Sequence, residues 1–217
     1  MILFLQHHAV FVGGCLIGVV LLVLFAAAVS AFMIRRYTTY TAFDITPSDF
    51  GLTYIPFTVQ GARAARVHGW YIPANQARAV LIASHGVADS KNGMLPYLLR
   101  FHQHGLSIVV YDLRHHGEST GRDCTLGYFE TRDLLAVTRH VREQLAPPGA
   151  PVVYWGFSLG ATISLQAAAR QPQVRAVIAQ SPFISLRAVV RYYAWRFFLL
   201  PPPVAMLGVR FFELITG

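Results

Sequence analysis

Tyr154-Trp155-Gly156-Phe157-Ser158-Leu159-Gly160 is the stretch that decides the fold of this chain. It ends an apolar run that begins at Pro151 and precedes an alanine-rich segment, residues 161–170, so we predict a strand, a turn and a helix. A serine at such a turn is typical of a nucleophile elbow, which pushes the hydroxyl out of the sheet. Gly156 and Gly160 fit this interpretation because a Cβ atom at either position would clash with neighbouring backbone. The alternative is a plain glycine-rich turn with an incidental serine.

Two backbone N–H groups are candidates for binding an oxyanion beside this serine. The first belongs to Leu159, at the predicted start of the helix, where N–H groups point outward. The second belongs to Val87, because Ser84-His85-Gly86-Val87 follows another apolar run and a His-Gly turn can aim its next N–H at the same oxyanion. We expect the His85 side chain to be a packed imidazole that holds the loop.

Apolar runs and helical segments alternate along the middle of the chain. Runs that are apolar on both faces suit buried parallel strands, and they lie at residues 79–84, 107–111, 152–155 and 176–179. Helices are predicted at residues 94–104, 128–145 and 161–170, and two earlier strands at residues 52–59 and 67–72. This order predicts an α/β fold with a doubly wound, mostly parallel sheet and helices on both faces. Ligands of such sheets bind at the carboxyl ends of the strands.

The segment Asp112-Leu113-Arg114-His115-His116-Gly117-Glu118-Ser119 follows the fourth predicted strand. Its Asp, Arg and His side chains can form a hydrogen-bonded network that shapes the loop. We favour this structural role over a catalytic one for Asp112 and Arg114. His116 lies at the correct end of the sheet to serve as a base, which remains the less favoured alternative.

The composition is too apolar for an ordinary soluble domain, with 54% hydrophobic residues and a mean hydropathy of +0.45. The net charge of +8 comes from 17 arginines and Lys91, spread along the chain. Attraction to anionic lipid headgroups explains this charge better than nucleic-acid binding, so no nucleic-acid partner is predicted. The two cysteines do not indicate a disulfide framework. The chain has no P-loop, dinucleotide fingerprint or metal-binding cluster of residues, so no cofactor or metal is predicted.

Residues 9–34 contain no charged side chain. As a helix these 26 residues would extend about 39 Å, enough to cross the bilayer core of about 30 Å. We therefore predict a single-pass membrane anchor over residues 1–36 that contacts lipid through residues 9–34. Arg35 and Arg36 follow the segment at once and favour a cytoplasmic position for the domain that follows. A cleaved signal peptide is the alternative, because Ala-Val-Ser-Ala at 28–31 is similar to a cleavage site.

Five motifs together resemble the α/β-hydrolase superfamily, in the branch with dienelactone-hydrolase-like and serine-aminopeptidase-like members. They appear in that family's order over roughly residues 50–185. The motifs are H-G-V at 85–87, D-L-R-H-H-G-E-S at 112–119, G-Y-F-E-x-x-D-L at 127–134, G-F-S-L-G at 156–160 and Q-S-P-F at 180–183. One departure is His115, where the family usually has glycine.

The resemblance implies a membrane-anchored serine hydrolase that cleaves an ester, a thioester or a small amide. Ser158 would be the nucleophile that forms the acyl intermediate, and the N–H groups of Val87 and Leu159 would bind the oxyanion. The implied partner is a small acyl substrate. The core would occupy residues 37–185, and residues 186–217 would begin a lid-like helical insertion.

The catalytic machinery that the resemblance implies is incomplete in this sequence. No histidine follows Ser158, and the only later acid is Glu213, although this fold places both the acid and the histidine base after the serine. We therefore expect the chain to be C-terminally truncated, with residues 176–179 at an exposed sheet edge. The alternatives are a catalytically dead fragment, a non-catalytic hydrolase-like module, or a basic membrane-surface protein whose elbow is coincidental.

Residues 186–217 are apolar and aromatic, and Pro201 to Pro203 divide them into two predicted amphipathic helices. Such a segment caps an apolar acyl site, lies on a membrane surface, or forms half of an unfinished core.

Overall fold

The computed structural model describes residues 44–198 and 202–216, together with isolated helical positions between 14 and 28. Within these residues, no helix combines the length and the apolar character needed to cross a bilayer. The anchor predicted over residues 9–34 falls mostly on positions that lie outside the described residues, as do Arg35 and Arg36. That anchor therefore stays a prediction.

Six strands form one mixed sheet in the order β1-β2-β4-β3-β5-β6. The strands are β1 (Ile55–Gln60), β2 (Arg66–Ile72), β3 (Ala79–Ser84), β4 (Leu106–Tyr111), β5 (Val152–Phe157) and β6 (Val174–Gln180). Strand β2 pairs antiparallel with β1 and with β4, and the remaining strand pairs are parallel. The prediction of a mostly parallel α/β sheet is confirmed, and every predicted strand is present with shifts of a few residues at its ends.

The described residues from 44 onward include five α-helices. They are α1 (Lys91–Gln103), α2 (Tyr128–His140), α3 (Leu159–Ala168), α4 (Leu186–Phe198) and α5 (Pro202–Thr216). Helix α2 continues into a π-helical turn, Val141–Leu145, and short 3₁₀ turns lie at Pro47–Phe50 and Ala62–Ala64. Helix α5 begins with Pro202 and Pro203 in its first turn, a position where proline is well tolerated.

Alternate residues of β3 enter two separate apolar cores, one on each face of the sheet. Val80 and Ile82 belong to a cluster that includes residues of α2 and α3, whereas Leu81 and Ala83 belong to a cluster with α1. All four side chains are fully buried. The continuous apolar run follows from this arrangement, because a central parallel strand has no solvent-facing side.

Strand β6 lies at the edge of the sheet and pairs with β5. Among the described residues, no strand pairs with its other side. Ile178, in the middle of β6, is 43% exposed, whereas the equally apolar β3 is buried. The expected exposed edge is therefore present.

The chain divides into two compact units, one of residues 35–184 and one that contains residues 185–217. The sheet and helices α1 to α3 belong to the first unit. In the second, α4 and α5 pack together, and Arg187 pairs with Glu213 across a distance of 2.8 Å.

Candidate active site

The turn between β5 and α3 holds Ser158 in a rarely populated backbone conformation, with φ +52° and ψ −113°. Such dihedral angles in a residue other than glycine persist only where the surrounding structure imposes them. The N–H of Ser158 donates to the carbonyl oxygen of Gln180 at 2.9 Å, which ties the turn to the end of β6. The Ser158 side chain makes no capping hydrogen bond to α3. Its hydroxyl is therefore not used to terminate the helix.

Two glycines allow this turn to pack against neighbouring backbone. A Cβ atom at Gly156 would overlap the backbone of Gly160, and a Cβ atom at Gly160 would overlap the carbonyl group of Ser84. The elbow therefore lies directly against the carboxyl end of β3. An added Cβ at Gly86 would lie 3.5 Å from the Cβ of Ser158, so the loop after β3 runs beside the serine.

The two N–H groups predicted to bind an oxyanion belong to the residues that follow Gly86 and Ser158, where the two loops approach each other. Leu159 is the first residue of α3, where N–H groups have no acceptor within the helix. Val87 directly follows Gly86, the residue that approaches Ser158. The hydrogen bonds of the described residues include none donated by the backbone of Val87 or Leu159. Neither N–H group therefore has an acceptor within the described part of the chain.

His85 holds the loop after β3 against the loop after β4. Its Nε2 accepts a hydrogen bond of 2.9 Å from the N–H of Leu113, so its Nδ1 carries the proton and donates to the carbonyl oxygen of Gly86 at 2.6 Å. The ring is fully buried, and this burial lowers the pKa of His85, so the neutral form is the stable one. These contacts support a structural role for His85.

His116 makes a parallel connection between the same two loops. Its Nδ1 donates to the carbonyl oxygen of Arg114 at 2.9 Å, and its Nε2 accepts from the N–H of Ala88 at 3.3 Å. Burial, and next the nearby ring of His85, lowers the pKa of His116 to about 4. Because backbone groups engage both ring nitrogens, this arrangement does not favour His116 as a base for Ser158.

Asp112 lies at the end of β4 and is fully buried. Its Oδ1 accepts from the N–H of Lys91 at 2.8 Å, and its Oδ2 accepts from Lys91 Nζ at 2.6 Å and from the N–H of Glu118 at 3.0 Å. Lys91 Nζ also pairs with the Glu118 carboxylate at 2.6 Å and lies 4.6 Å from the ring centre of Trp70. Asp112 therefore joins the start of α1 to the loop after β4.

Arg114 belongs to a different network from Asp112, although the sequence suggested one shared by both. Its Nε donates to Asp133 Oδ2 at 2.7 Å, and a terminal nitrogen donates to the carbonyl oxygen of Ala62 at 2.6 Å. The guanidinium group also lies over the ring of Phe129. The side chains of Asp112 and Arg114 point away from the same loop in different directions, and each bonds to its own buried partner.

Sequence reasoning overlooked three buried charged residues, Lys91, Glu130 and Asp133. Glu130 accepts hydrogen bonds from the N–H of Gly127 at 2.8 Å and from the N–H and hydroxyl of Thr125 at 2.6 Å each, which fixes the start of α2. The G-Y-F-E-x-x-D-L motif contains two acids three residues apart, and this spacing could have identified Glu130 and Asp133. For Lys91 the signal was its status as the only lysine in the chain.

The departure at His115 has a backbone explanation. His115 has φ +60°, a left-handed conformation that costs a residue with a Cβ atom about 1–2 kcal/mol and costs glycine little. Histidine is among the residues that adopt it more readily. Its Nδ1 also forms a hydrogen bond of 3.1 Å with the carbonyl oxygen of Gly121.

No group of three or more histidine, cysteine or acidic side chains in the described part of the chain is arranged to hold a metal ion.

The fold and this turn are those of an α/β hydrolase, and comparison with solved structures agrees. A Pyrococcus furiosus esterase, Pf2001, superposes with a TM-score of 0.66 at 24% identity, over 80% of this chain and 66% of that one. The structure of the α/β hydrolase GrgF from a Penicillium species superposes with a TM-score of 0.55 at 26% identity, over 68% of this chain and 53% of that one.

Sequence comparison gives the family. The sequence model of the serine aminopeptidase S33 family matches residues 75–212, so the chain belongs to that family. An uncharacterised Mycobacterium tuberculosis protein is 31% identical over 134 residues, which make up 60% of this chain and 46% of that protein. The Penicillium polyketide transferase GrgF is 29% identical over 143 residues, 64% of this chain and 48% of that protein. The chain thus spans about half the length of these curated relatives.

Proposed function

We propose that this chain carries the nucleophile and the oxyanion donors of a serine hydrolase acting on an ester, a thioester or a small amide. The observation behind this proposal is the backbone conformation of Ser158, which has φ +52° and ψ −113° at the tip of the turn between β5 and α3. Strain of this kind costs of order 1–3 kcal/mol and is concentrated at functional sites. Arg63, with φ +49° and ψ +45°, lies in the ordinary left-handed region, whereas ψ −113° places Ser158 outside it.

In the proposed reaction, the Ser158 oxygen attacks the acyl carbon of the substrate and its proton passes to a base. The carbonyl oxygen becomes an oxyanion, which accepts hydrogen bonds from the N–H groups of Val87 and Leu159. The tetrahedral intermediate then releases the alcohol, thiol or amine and leaves an acyl ester on Ser158, which water hydrolyses. Removing one such donor from a serine hydrolase typically raises the barrier by about 2.7–4 kcal/mol.

The relatives support this range of substrates. The structural neighbour from Pyrococcus furiosus is an esterase, and the family is named for serine aminopeptidases, so ester and amide bonds both fall within the proposal. We propose a small acyl substrate as the partner and no cofactor, because acyl transfer through serine needs none.

Membrane attachment is a separate part of the proposal. The 26 uncharged residues from 9 to 34 support a single-pass anchor, and Arg35 and Arg36 support a cytoplasmic position for the hydrolase core.

A non-catalytic hydrolase-like module is the second candidate function for the 217 residues. Turnover requires a histidine base oriented by an acid, and the sequence has no histidine after Ser158. Backbone groups engage both ring nitrogens of His85 and of His116. The oxyanion donors and substrate binding alone leave about a thousandfold acceleration over water in hydrolases that lack their triad.

A fluorophosphonate probe tests the assignment of the nucleophile. We expect the folded chain to be labelled slowly at Ser158 and faster when imidazole is added as an external base, and we expect Ser158→Ala to abolish labelling. Ser181→Ala is the matched control, because Ser181 directly follows the neighbouring strand and also has positive φ, +55°. Absence of labelling with and without imidazole, in a chain whose circular dichroism shows it to be folded, would refute Ser158 as a nucleophile.

Turnover of a p-nitrophenyl ester separates the two candidate functions. Multiple turnovers by the 217-residue chain, lost in Ser158→Ala, would exclude the non-catalytic module. Labelling of Ser158 without turnover would instead show a chain that has the nucleophile and lacks its base.

A further inference from the structure

Polar and apolar side chains at the carboxyl end of the sheet are distributed in the reverse of the usual way. Two apolar side chains are exposed there, Val87 at 43% and Phe157 at 41%. Four polar side chains beside them are fully buried, namely Ser84, His85, Asp112 and His116. Because water favours the opposite arrangement, exposed apolar groups beside buried polar ones indicate a surface that binds a ligand.

The two exposed side chains belong to residues that flank the contact between the elbow and the loop after β3. Phe157 directly precedes Ser158, and Val87 directly follows Gly86. A Cβ atom added to Gly86 would lie 3.2 Å from Cδ1 of Phe157 and 3.5 Å from the Cβ of Ser158. The ring of Phe157 and the serine therefore approach the same point of the loop, and Val87 is the next residue along it.

Both side chains lie towards the face of the sheet that α1 covers. Alternate residues of a strand share one face, so Phe157 follows Val153 and Trp155 along β5. Those two residues pack in the apolar cluster that includes residues of α1. Val87 lies in the loop that leads from β3 to α1. The exposed ring therefore extends this apolar face to the edge of the sheet where Ser158 lies.

The buried charges at this end of the sheet have partners within the chain. Lys91 pairs with Asp112 at 2.6 Å, and Arg114 pairs with Asp133 at 2.7 Å. Asp89, in the loop after β3, is half-buried and accepts a hydrogen bond of 2.8 Å from the next backbone N–H. Burial raises the pKa of the Asp89 carboxyl, so its surroundings oppose its negative charge. An uncharged ligand suits this environment, because it requires no compensating charge.

We propose that Val87 and Phe157 bind the apolar acyl chain of an uncharged substrate, an inference that rests on the proposed role of Ser158 as the nucleophile. The acyl chain is the part of the substrate that becomes joined to Ser158, so these neighbouring side chains are placed to cover it. An aminoacyl group, which an aminopeptidase would release, carries an ammonium group beside the scissile carbonyl. Loss of its hydration against two apolar side chains is unfavourable. The site therefore selects an aliphatic or aromatic acyl ester or thioester over an aminoacyl amide.

Phosphonofluoridate probes that differ in the group on phosphorus test this selection, because that group takes the place of the acyl chain. Imidazole is present throughout, and each labelling rate is divided by the hydrolysis rate of the same probe in buffer. We expect a hexyl probe to label Ser158 about tenfold faster than a methyl probe, the gain from covering about 60 Å² of apolar surface. A probe of similar length that ends in an ammonium group should lose most of this preference.

Variants locate the apolar contact. Phe157→Ser should reduce the preference for hexyl over methyl below about threefold, because it removes the ring. Phe157→Leu should restore most of the preference, since it remains apolar. The matched control is Tyr97→Ser, which removes an aromatic side chain of α1 that is 67% exposed, and it should leave the preference unchanged. The preference is a ratio within one variant, so a general loss of reactivity affects both probes alike.

Three results would overturn the proposal. The first is equal labelling of the natural chain by the hexyl and methyl probes. The second is an equal preference in Phe157→Ser and Tyr97→Ser, since the ring would then make no contact with the chain of the probe. The third is faster labelling by the ammonium probe than by the hexyl probe. In each case the methyl probe still labels Ser158, so the nucleophile stands and the apolar surface fails, whereas absence of labelling by every probe would refute the nucleophile itself.

Discussion

Two loops at the carboxyl end of the same sheet use their polar groups in opposite ways. In the loop after β4, residues 112–119, the Asp112 carboxylate accepts three hydrogen bonds and Arg114 is bound to Asp133. In the turn after β5, the Ser158 hydroxyl caps nothing, and the N–H of Leu159 has no acceptor among the described residues. The Asp112 and Arg114 side chains of the first loop hold neighbouring elements, whereas the Ser158 hydroxyl and the Leu159 N–H have no such partner among the described residues. This difference supports the proposal that the first loop is a support and the second a reactive site.

The same comparison shows that the polar side chains that stand out in the sequence have structural partners. Asp112, Arg114 and His116 are the residue types expected of a catalytic site, yet each is buried and hydrogen-bonded to a neighbouring helix or loop. Their contacts hold the loops on either side of the elbow. The reactive groups that we propose are a hydroxyl and two backbone N–H groups, which carry no charge.

The largest effect on stability should come from breaking the support at Asp112. Asp112→Asn removes one charge of a buried pair and leaves Lys91 incompletely compensated, so we expect the free energy of unfolding to fall by about 3–5 kcal/mol. Glu118→Gln is the control, because it alters the other carboxylate on the same lysine, and the Glu118 side chain is 67% exposed. That variant should cost less than about 1 kcal/mol. Urea denaturation measures both, and equal costs would contradict a special role for the buried pair.

The next effect concerns the close packing of the elbow. Gly160→Ala places a methyl group onto the carbonyl group of Ser84, and backbone cannot move aside as a side chain can. We expect a loss of about 3 kcal/mol, the upper end of the range for overpacking. Gly86→Ala serves for comparison, since its nearest obstacle is a ring carbon of Phe157 at 3.2 Å. Thermal unfolding of both variants tests this, and a Gly160→Ala variant as stable as Gly86→Ala would show that the elbow is loosely packed.

The smallest effect should be a dependence of stability on pH. The pKa of His116 is about 4 in the folded chain and about 6.5 in an unfolded one. Between these values the unfolded chain binds more protons, so the free energy of unfolding falls as the pH drops from about 6.5 towards 4. The expected loss is roughly 2–3 kcal/mol, and the lowered pKa of His85 acts in the same direction.

Denaturation curves measured at pH 7, 6 and 5 reveal this slope. His116→Asn, which cannot titrate, should show a shallower slope than the natural chain over the same interval. Identical slopes in the two proteins would mean that the hydrogen bond between Ala88 and His116 does not depend on a neutral ring.

Much of the fold was predictable because its signals are local. The run at residues 79–84 coincides with β3, and the runs at 107–111 and 152–155 identify β4 and β5 with only their ends extended. A strand that is apolar on every residue must be covered on both faces, and this requirement predicts helices on both sides of the sheet. The elbow was also predictable, because two glycines around a serine between a strand and a helix leave few alternatives.

The partners of the buried charges were not predictable in the same way. Asp112 bonds to Lys91, 21 residues away, and Arg114 bonds to Asp133, 19 residues away. These pairs form because helices α1 and α2 begin at the carboxyl end of the sheet, close to the loop after β4. No local period in the sequence indicates this proximity. Sequence reasoning therefore recognised the loop as structural and assigned Asp112 and Arg114 to the wrong, shared network.

The order of strands and helices, the family and the position of Ser158 follow from the sequence by itself, because periodicity and turn residues act over a few neighbouring positions. Only the tertiary structure decided which groups remain available. In the folded chain, both ring nitrogens of His85 and of His116 are hydrogen-bonded. The N–H groups of Val87 and Leu159 have no acceptors among the described residues. Ile178 lies at an open edge of the described sheet. Whether a polar group remains available depends on which neighbouring elements cover it. Those elements come together only when the chain is folded.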